Sequence, residues 1–213
     1  MIKVAKFEVN TFAEIVYVAY DDVSRECAVI DPGMMFEHEC ERVSEFITSN
    51  NLKVNYVLLT HIHIDHVTAA EYIAERFGSK VYAHQGDVPL SAELATQAYM
   101  FGLNIDVHPL KQIEYLNDND TLSIGQYQIS VLHTPGHSLG GLTYYIPKAD
   151  MAFVGDTIFC RSIGRTDLPG GSFNLIADSI HTRLFTLPPQ TVLYPGHGPS
   201  TTVQEEIDHN PYV

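Results

Sequence analysis

The chain has 213 residues, 45% of them hydrophobic, and 12 Lys and Arg stand against 26 Asp and Glu for a formal charge of −14. That length suits a single domain over residues 1–213 with a sizeable core. The acidic balance and the lack of any basic run exclude a nucleic-acid binder, which must meet phosphates with cations, and no apolar run reaches the roughly 18 residues of a membrane span.

In chain order, residues 3–9, 15–19 and 27–30 read as successive strands. The opening Met1-Ile2-Lys3-Val4 has no signal-peptide core. Cys27, Cys40 and Cys160 are unevenly spaced and form no C-x-x-C pair, so a reduced, cytoplasmic setting is expected. Asp31-Pro32-Gly33 turns the chain into a helix over 36–50. Residues 54–60 form a short apolar run, a buried strand. A helix is expected over 67–77, a short strand over 81–83 and a helix over 91–101, part of a wall over a pocket. Asn117-Asp118-Asn119-Asp120 is a turn and lacks the ligand spacing of a calcium loop. Strands follow over 127–132, 151–154 and 191–194. Helices are expected over 173–185, with Ser172 as N-cap, and over 203–209.

Between the strand at 54–60 and the next helix lies His61-Ile62-His63-Ile64-Asp65-His66, with four metal-binding side chains in six residues. Three more strand ends carry the same kind of group. Residues 127–132 run into His133-Thr134-Pro135-Gly136-His137, 151–154 into Gly155-Asp156, and 191–194 into Pro195-Gly196-His197-Gly198. Ligand sites in layered α/β folds gather at strand ends. The seven side chains His61, His63, Asp65, His66, His137, Asp156 and His197 exceed one tetrahedral site. They suit two divalent ions, zinc first and iron or manganese as alternatives. Two such ions, two carboxylates and a hydroxide leave a net charge of about +1 in an otherwise acidic protein.

This pattern resembles the metallo-β-lactamase superfamily. Within it, the small glyoxalase II-like hydrolases are most similar, through His133-Thr134-Pro135-Gly136-His137-Ser138, Gly155-Asp156-Thr157, Ser162-Ile163-Gly164-Arg165-Thr166-Asp167 and Pro195-Gly196-His197-Gly198-Pro199. The resemblance implies an αβ/βα sandwich of two mixed β-sheets with helices on the outer faces. It implies that His61, His63 and His137 bind a first metal. Asp65, His66 and His197 would bind a second, with Asp156 bridging. The implied activity is hydrolysis of a thioester or ester such as S-lactoylglutathione by a metal-bound hydroxide, with Asp65 orienting that hydroxide. Full-length glyoxalase II enzymes add a C-terminal helical region that grips glutathione. This sequence stops at Val213, so slower turnover of S-lactoylglutathione than of a smaller ester is expected. Two further readings stay open: a persulfide dioxygenase, with one iron on His61, His137 and Asp156, and a lactonase or non-catalytic metal-binding protein.

Around the ligands, Asp31 either orients a metal-bound His or caps its own turn. Arg165 either binds the carboxylate of a small anionic substrate or pairs internally with Asp167. His84 reads as a structural or rim histidine, and His133 as a brace for the turn that follows it. Oligomeric state has no sequence marker.

Overall fold

The structure, a computed structural model, describes residues 1–213. Its first sheet holds β1 (Ile2–Val9), β2 (Glu14–Asp21), β3 (Glu26–Ile30), β4 (Lys53–Leu58), β5 (Val81–Ala83) and β6 (Ile113–Tyr115), in that order across the sheet. The β1–β2–β3 part is antiparallel and the β3–β4–β5–β6 part parallel. The chain then forms β7 (Thr121–Ile124), β8 (Tyr127–His133), β9 (Leu142–Ile146), β10 (Met151–Gly155), the small hairpin β11 (Ile158–Phe159) with β12 (Ser162–Ile163), β13 (Val192–Pro195) and β14 (Thr201–Thr202). The second sheet has the order β14-β13-β10-β9-β8-β7 and is mixed, because β10 and β13 run parallel while the other pairs are antiparallel.

Side chains alternate across a strand, so a strand buried on both faces feeds two cores. In β2, Val16 and Val18 face one core while Ile15, Tyr17 and Ala19 face another. Likewise Cys27 and Val29 of β3 separate from Ala28 and Ile30. The first core lies between the first sheet and helices α1 (Glu37–Ser49), α2 (Ile64–Val67), α3 (Ala70–Phe77) and α5 (Leu94–Met100), with α4 (Val88–Ala92) just before the last of these. The second core joins the two sheets through Tyr17, Ile30 and Leu58 on one side and Ile129, Tyr144 and Phe153 on the other. The third packs α6 (Phe173–Ser179) and α7 (Val203–His209) on the outer face of the second sheet. The layers are therefore helix, sheet, sheet, helix, the sandwich that the sequence implied.

The helix expected over 67–77 begins earlier and is broken. Its first turn, α2, contains Asp65 and His66, and α3 restarts at Ala70. The break has a cause: the Ala69 N–H donates to the Pro32 carbonyl at 2.9 Å, diverting the backbone to the turn after β3. The helix expected over 91–101 is also two, because Glu93 leaves the helical conformation between α4 and α5. Over 173–185 one helix does continue, but its last turn is wide, with the Phe185 N–H reaching back to Ile180 at 2.8 Å. The Ser172 hydroxyl accepts from the Leu175 N–H at the start of α6.

Candidate metal centre

The four ligand-bearing segments meet at one edge of the sandwich, where β4, β8, β10 and β13 end. His61, His63 and His137 form one group with ligand atoms within 4.8 Å of one another, and Asp65, His66 and His197 form a second. Asp156 stands between them. Its carboxylate is 3.6 Å from His137 Nε2, from His66 Nε2 and from His197 Nε2. Asp65 Oδ2 lies 3.2 Å from His197 Nε2 and 3.6 Å from His66 Nε2. All seven side chains singled out in the sequence thus converge.

Four of the five imidazoles are turned by a bond to the far nitrogen. His137 Nδ1 meets the Arg165 carbonyl at 2.8 Å and His197 Nδ1 meets the Phe12 carbonyl at 3.1 Å. His66 Nδ1 faces Asp31 Oδ2 at 3.1 Å, and His61 Nδ1 faces Thr60 Oγ1 at 3.0 Å. The Thr60 hydroxyl in turn donates to Asp31 Oδ2 at 2.6 Å, and the Thr60 N–H donates to Asp31 Oδ1 at 2.7 Å. Asp31, buried and with φ of 48°, therefore orients His66 directly and His61 through a hydroxyl. His63 is the exception and points Nδ1 inward, 2.8 Å from His137 Nε2.

Two glycines make room. A Cβ on Gly196 would fall 2.3 Å from Asp156 Oδ1 and 2.6 Å from His66 Cε1, inside the cradle itself. Gly155 has φ of 51°, and a Cβ there would sit 2.2 Å from Thr60 Oγ1. The first strand pair also holds the ligand loops. The Tyr17 hydroxyl donates to the Pro195 carbonyl at 2.6 Å, and the Ile15 N–H to the Gly196 carbonyl at 2.8 Å.

The chemistry of this donor set fits divalent cations. His61 Nε2, His66 Nε2 and Asp156 Oδ1 are buried with no hydrogen-bond partner. Orphaned buried polar atoms are costly, and a metal ion satisfies them. Burial, reinforced by the neighbouring imidazoles, holds His61 well below its usual pKa and brings His63 down to about 3. Both are neutral ligands at pH 7. Burial pushes Asp65 upward, but His66 and His197 outweigh it and keep the carboxylate below its ordinary range. His66 behaves in the opposite way. Burial pulls it down, yet Asp65, Asp156 and Asp31 hold it well above the ordinary value. The acids around His66 demand a positive charge, whether a proton or a metal.

Asp87 and Glu14 belong to the site and were not singled out in the sequence. Asp87 is buried and accepts from the Ile62 N–H at 3.1 Å, the Ser138 hydroxyl at 2.8 Å and the Gly140 N–H at 2.6 Å. It ties the His61 to His63 stretch to the His137 loop. Glu14, at the start of β2, is fully buried, and neither carboxyl oxygen has a hydrogen-bond partner. Burial holds its pKa well above the ordinary range. Its Oε1 lies 3.9 Å from His66 Nδ1.

Arg165 is exposed, and both ends of its guanidinium fork meet Asp167 at 2.8 Å. The internal pair with Asp167 is the contact this structure shows, and it leaves the guanidinium at the surface. The Arg165 backbone carbonyl serves the centre by orienting His137. Arg161 is held by Glu205, at 2.7 Å to the carboxylate. His84 stacks on His133 with ring centroids 4.3 Å apart, and His133 Nε2 meets the Leu139 carbonyl at 2.9 Å.

Residues 15–197 match the sequence profile of the metallo-beta-lactamase superfamily. Among curated proteins, the probable metallo-hydrolase YqgX of Bacillus subtilis is 35% identical over 190 residues, 88% of this chain and 87% of its own. Hydroxyacylglutathione hydrolase GloC of Haemophilus influenzae is 34% identical over 207 residues, 96% of this chain and 95% of its own. Among solved structures, BLEG-1 B3 metallo-beta-lactamase superposes with a TM-score of 0.89 at 34% identity, covering 99% of both chains. TTHA1623, solved in a di-iron-bound form, gives 0.86 at 34% identity, over 98% of this chain and 100% of that one. ETHE1 from Myxococcus xanthus gives 0.78 at 27% identity, over 98% and 83%.

Proposed function

The chain belongs to the metallo-β-lactamase superfamily, and we propose that it is a metal-dependent hydrolase opening a thioester or related ester of the S-lactoylglutathione type. The observation that carries this reading is the pair of ligand trios on either side of Asp156. A mononuclear centre on His61, His137 and Asp156 would leave His63, Asp65, His66 and His197 with no metal to hold. Two divalent ions held there would lower the pKa of a water, polarise the substrate carbonyl and clamp the oxygens of the reacting group. Zinc suits the donor set, and the di-iron form of a 34%-identical neighbour supports iron as the alternative.

The chain's own residues supply the rest. His61 and His63 are kept neutral by burial, so their lone pairs are available at neutral pH. Asp65 stays ionised and keeps some contact with solvent, with 15% of its side chain exposed, so it can accept a hydrogen bond from an attacking water. A thiolate leaves without a strong general acid, and the reading asks for none. The 34% identity to hydroxyacylglutathione hydrolase GloC supports the thioester class. The similarity to ETHE1 supports the second reading, a mononuclear-iron persulfide dioxygenase.

The two separate in one experiment. The stripped protein is reloaded with zinc, iron(II) or manganese. It is then assayed for thiol release from S-lactoylglutathione and smaller thioesters, and for oxygen uptake with glutathione persulfide. Thiol release without oxygen uptake is expected. Stoichiometric oxygen consumption with no thioester turnover would replace the hydrolase by the dioxygenase.

A further inference from the structure

The turn between β1 and β2, Asn10-Thr11-Phe12-Ala13, carries no ligand of its own, yet the chain from Asn10 to Glu14 meets the second trio at three points. The Asn10 amide donates to the Asp65 carbonyl at 3.0 Å and to the Gly33 carbonyl at 2.9 Å. The Phe12 carbonyl accepts from His197 Nδ1 at 3.1 Å. Glu14, the first residue of β2, sets its buried carboxyl 3.9 Å from His66 Nδ1. Asp65, His66 and His197 are thus each met from this one segment. The partners of the first trio come from elsewhere, Thr60 Oγ1 for His61 and the Arg165 carbonyl for His137.

The Asn10 side chain joins two of these contacts. Its Oδ1 accepts from the Phe12 N–H at 2.9 Å, which tightens the turn and aims the Phe12 carbonyl at His197. Asn10 and Ala13 hold left-handed φ values of 50° and 55°. Asparagine adopts that conformation readily and alanine rarely does, so contacts and not local preference hold the turn. Behind it, the buried Glu39 of α1 accepts from the Asn10 N–H at 2.6 Å, while its other oxygen accepts from the Met35 and Phe36 N–H groups at 2.9 and 3.1 Å. The turn is therefore anchored on α1 and grips α2 and the loop after β13. Asn10 spends its amide hydrogens on carbonyls and its oxygen on an N–H. Aspartate has the same shape but no donor, and it would set an oxygen against two carbonyls.

We infer that Asn10 is a positioning residue for the second metal ion: one side chain fixes both the α2 turn that presents Asp65 and the Phe12 carbonyl that orients His197. The inference rests on the two-ion reading of the centre above and assigns the strength of its second site to the β1–β2 turn. Partners behind metal ligands are worth roughly 10–100-fold in affinity, and Asn10 acts through backbone groups, so the lower end of that range applies.

The test uses the stripped full chain with zinc and cobalt(II) as probes. Asn10→Gly deletes the side chain and keeps the left-handed φ. Asn10→Asp keeps the shape and the acceptor for the Phe12 N–H and loses the donors to Gly33 and Asp65. Calorimetric titration of the wild type should show two zinc ions. In both variants one affinity should fall about ten-fold while the other stays within about two-fold. Cobalt(II) absorption identifies the weakened site: the bands lost should be those that His197→Ala also removes. Urea unfolding of the stripped proteins, run beside the titrations, separates positioning from folding. A purely structural role would lower stability and leave the ratio of the two affinities unchanged. Two ions bound with wild-type affinities in either folded variant, or equal losses at both sites, would overturn the inference and leave the two-ion reading standing. Failure of both variants to fold would make Asn10 a structural residue and overturn it as well. A single ion in the wild type would sink the two-ion reading and the inference with it.

Discussion

Replacing Asp31 by Asn changes one atom, yet it should disable two ligands at once. Asp31 accepts from the Thr60 N–H at 2.7 Å and from the Thr60 hydroxyl at 2.6 Å, and faces His66 Nδ1 at 3.1 Å. Asn fits the same space and tolerates the left-handed φ of 48° at this position. Its oxygen can keep the bond from the Thr60 N–H. Its NH2 then takes the place of Oδ2 and donates where the carboxylate accepted. His66 Nδ1 must become an acceptor, which moves the ring proton to Nε2, the atom that faces Asp65 and Asp156. The Thr60 hydroxyl accepts from the new amide and turns its proton to His61 Nδ1 at 3.0 Å, so His61 changes tautomer as well. The flipped amide is worse, because its NH2 would meet the Thr60 N–H. Partners behind metal-binding histidines are worth roughly 10–100-fold in affinity, or about 1.4–2.7 kcal/mol per ion. The metal-free fold should lose only about 1 kcal/mol, one ordinary hydrogen bond. Calorimetric zinc titration of the stripped protein, beside urea unfolding with and without zinc, measures both quantities. Wild-type affinity at both sites in a folded Asp31→Asn protein would show that Asp31 caps its turn and does not orient the ligands.

Gly196→Ala should fold yet bind at most one ion, since the new methyl lies 2.3 Å from Asp156 Oδ1 and 2.6 Å from His66 Cε1; metal analysis after dialysis reads the stoichiometry. Asp87→Ala should destabilise the protein by about 2–5 kcal/mol in urea, because the buried Ile62 and Gly140 N–H groups lose their acceptor. A loss below 1 kcal/mol would mean that water replaces it. The stripped protein should lose stability as pH rises above about 6.5, the unperturbed histidine value. His66 and His197 both have raised pKa values in the fold, so their contribution is full below the unfolded pKa and disappears as pH rises through the folded one. Each proton lost counts about 1.4 kcal/mol per pH unit. Added zinc should raise the melting temperature most at the alkaline end of a pH 6 to 8.5 series, and a flat response would contradict the acid cluster around His66.

His61, His63, Asp65 and His66 were legible as four ligand types within six residues after an apolar strand run, and His137, Asp156 and His197 because each follows such a run through a glycine. The αβ/βα sandwich was implied by the family resemblance that these motifs carry. Glu14 carries no such mark. It sits in Phe12-Ala13-Glu14-Ile15-Val16, where a strand edge normally tolerates an acid, and the His66 ring, the Gly33 turn and the Gly196 loop together bury it. The available sign was a lone acid beside an apolar run without a nearby cation. Asp87 lies in Gln85-Gly86-Asp87, a turn like many others, and its three donors come from segments 25 to 53 residues away. Such a site is set by tertiary contact alone. The break between α2 and α3 was hidden for the same reason, since the Pro32 carbonyl that causes it belongs to another turn. Short strands such as β6, β11, β12 and β14 have too few residues for periodicity to show.

Stoichiometric metal titration against turnover tests the two-metal hydrolase most directly. The stripped protein receives zinc in steps from zero to three equivalents, and thiol release from a thioester that it hydrolyses is followed at each step. Two ions are expected to bind per chain, with activity rising mainly over the second equivalent as Asp65, His66 and His197 fill. Binding of a single ion with activity complete at one equivalent, or oxygen consumption with a persulfide in place of thiol release, would contradict it.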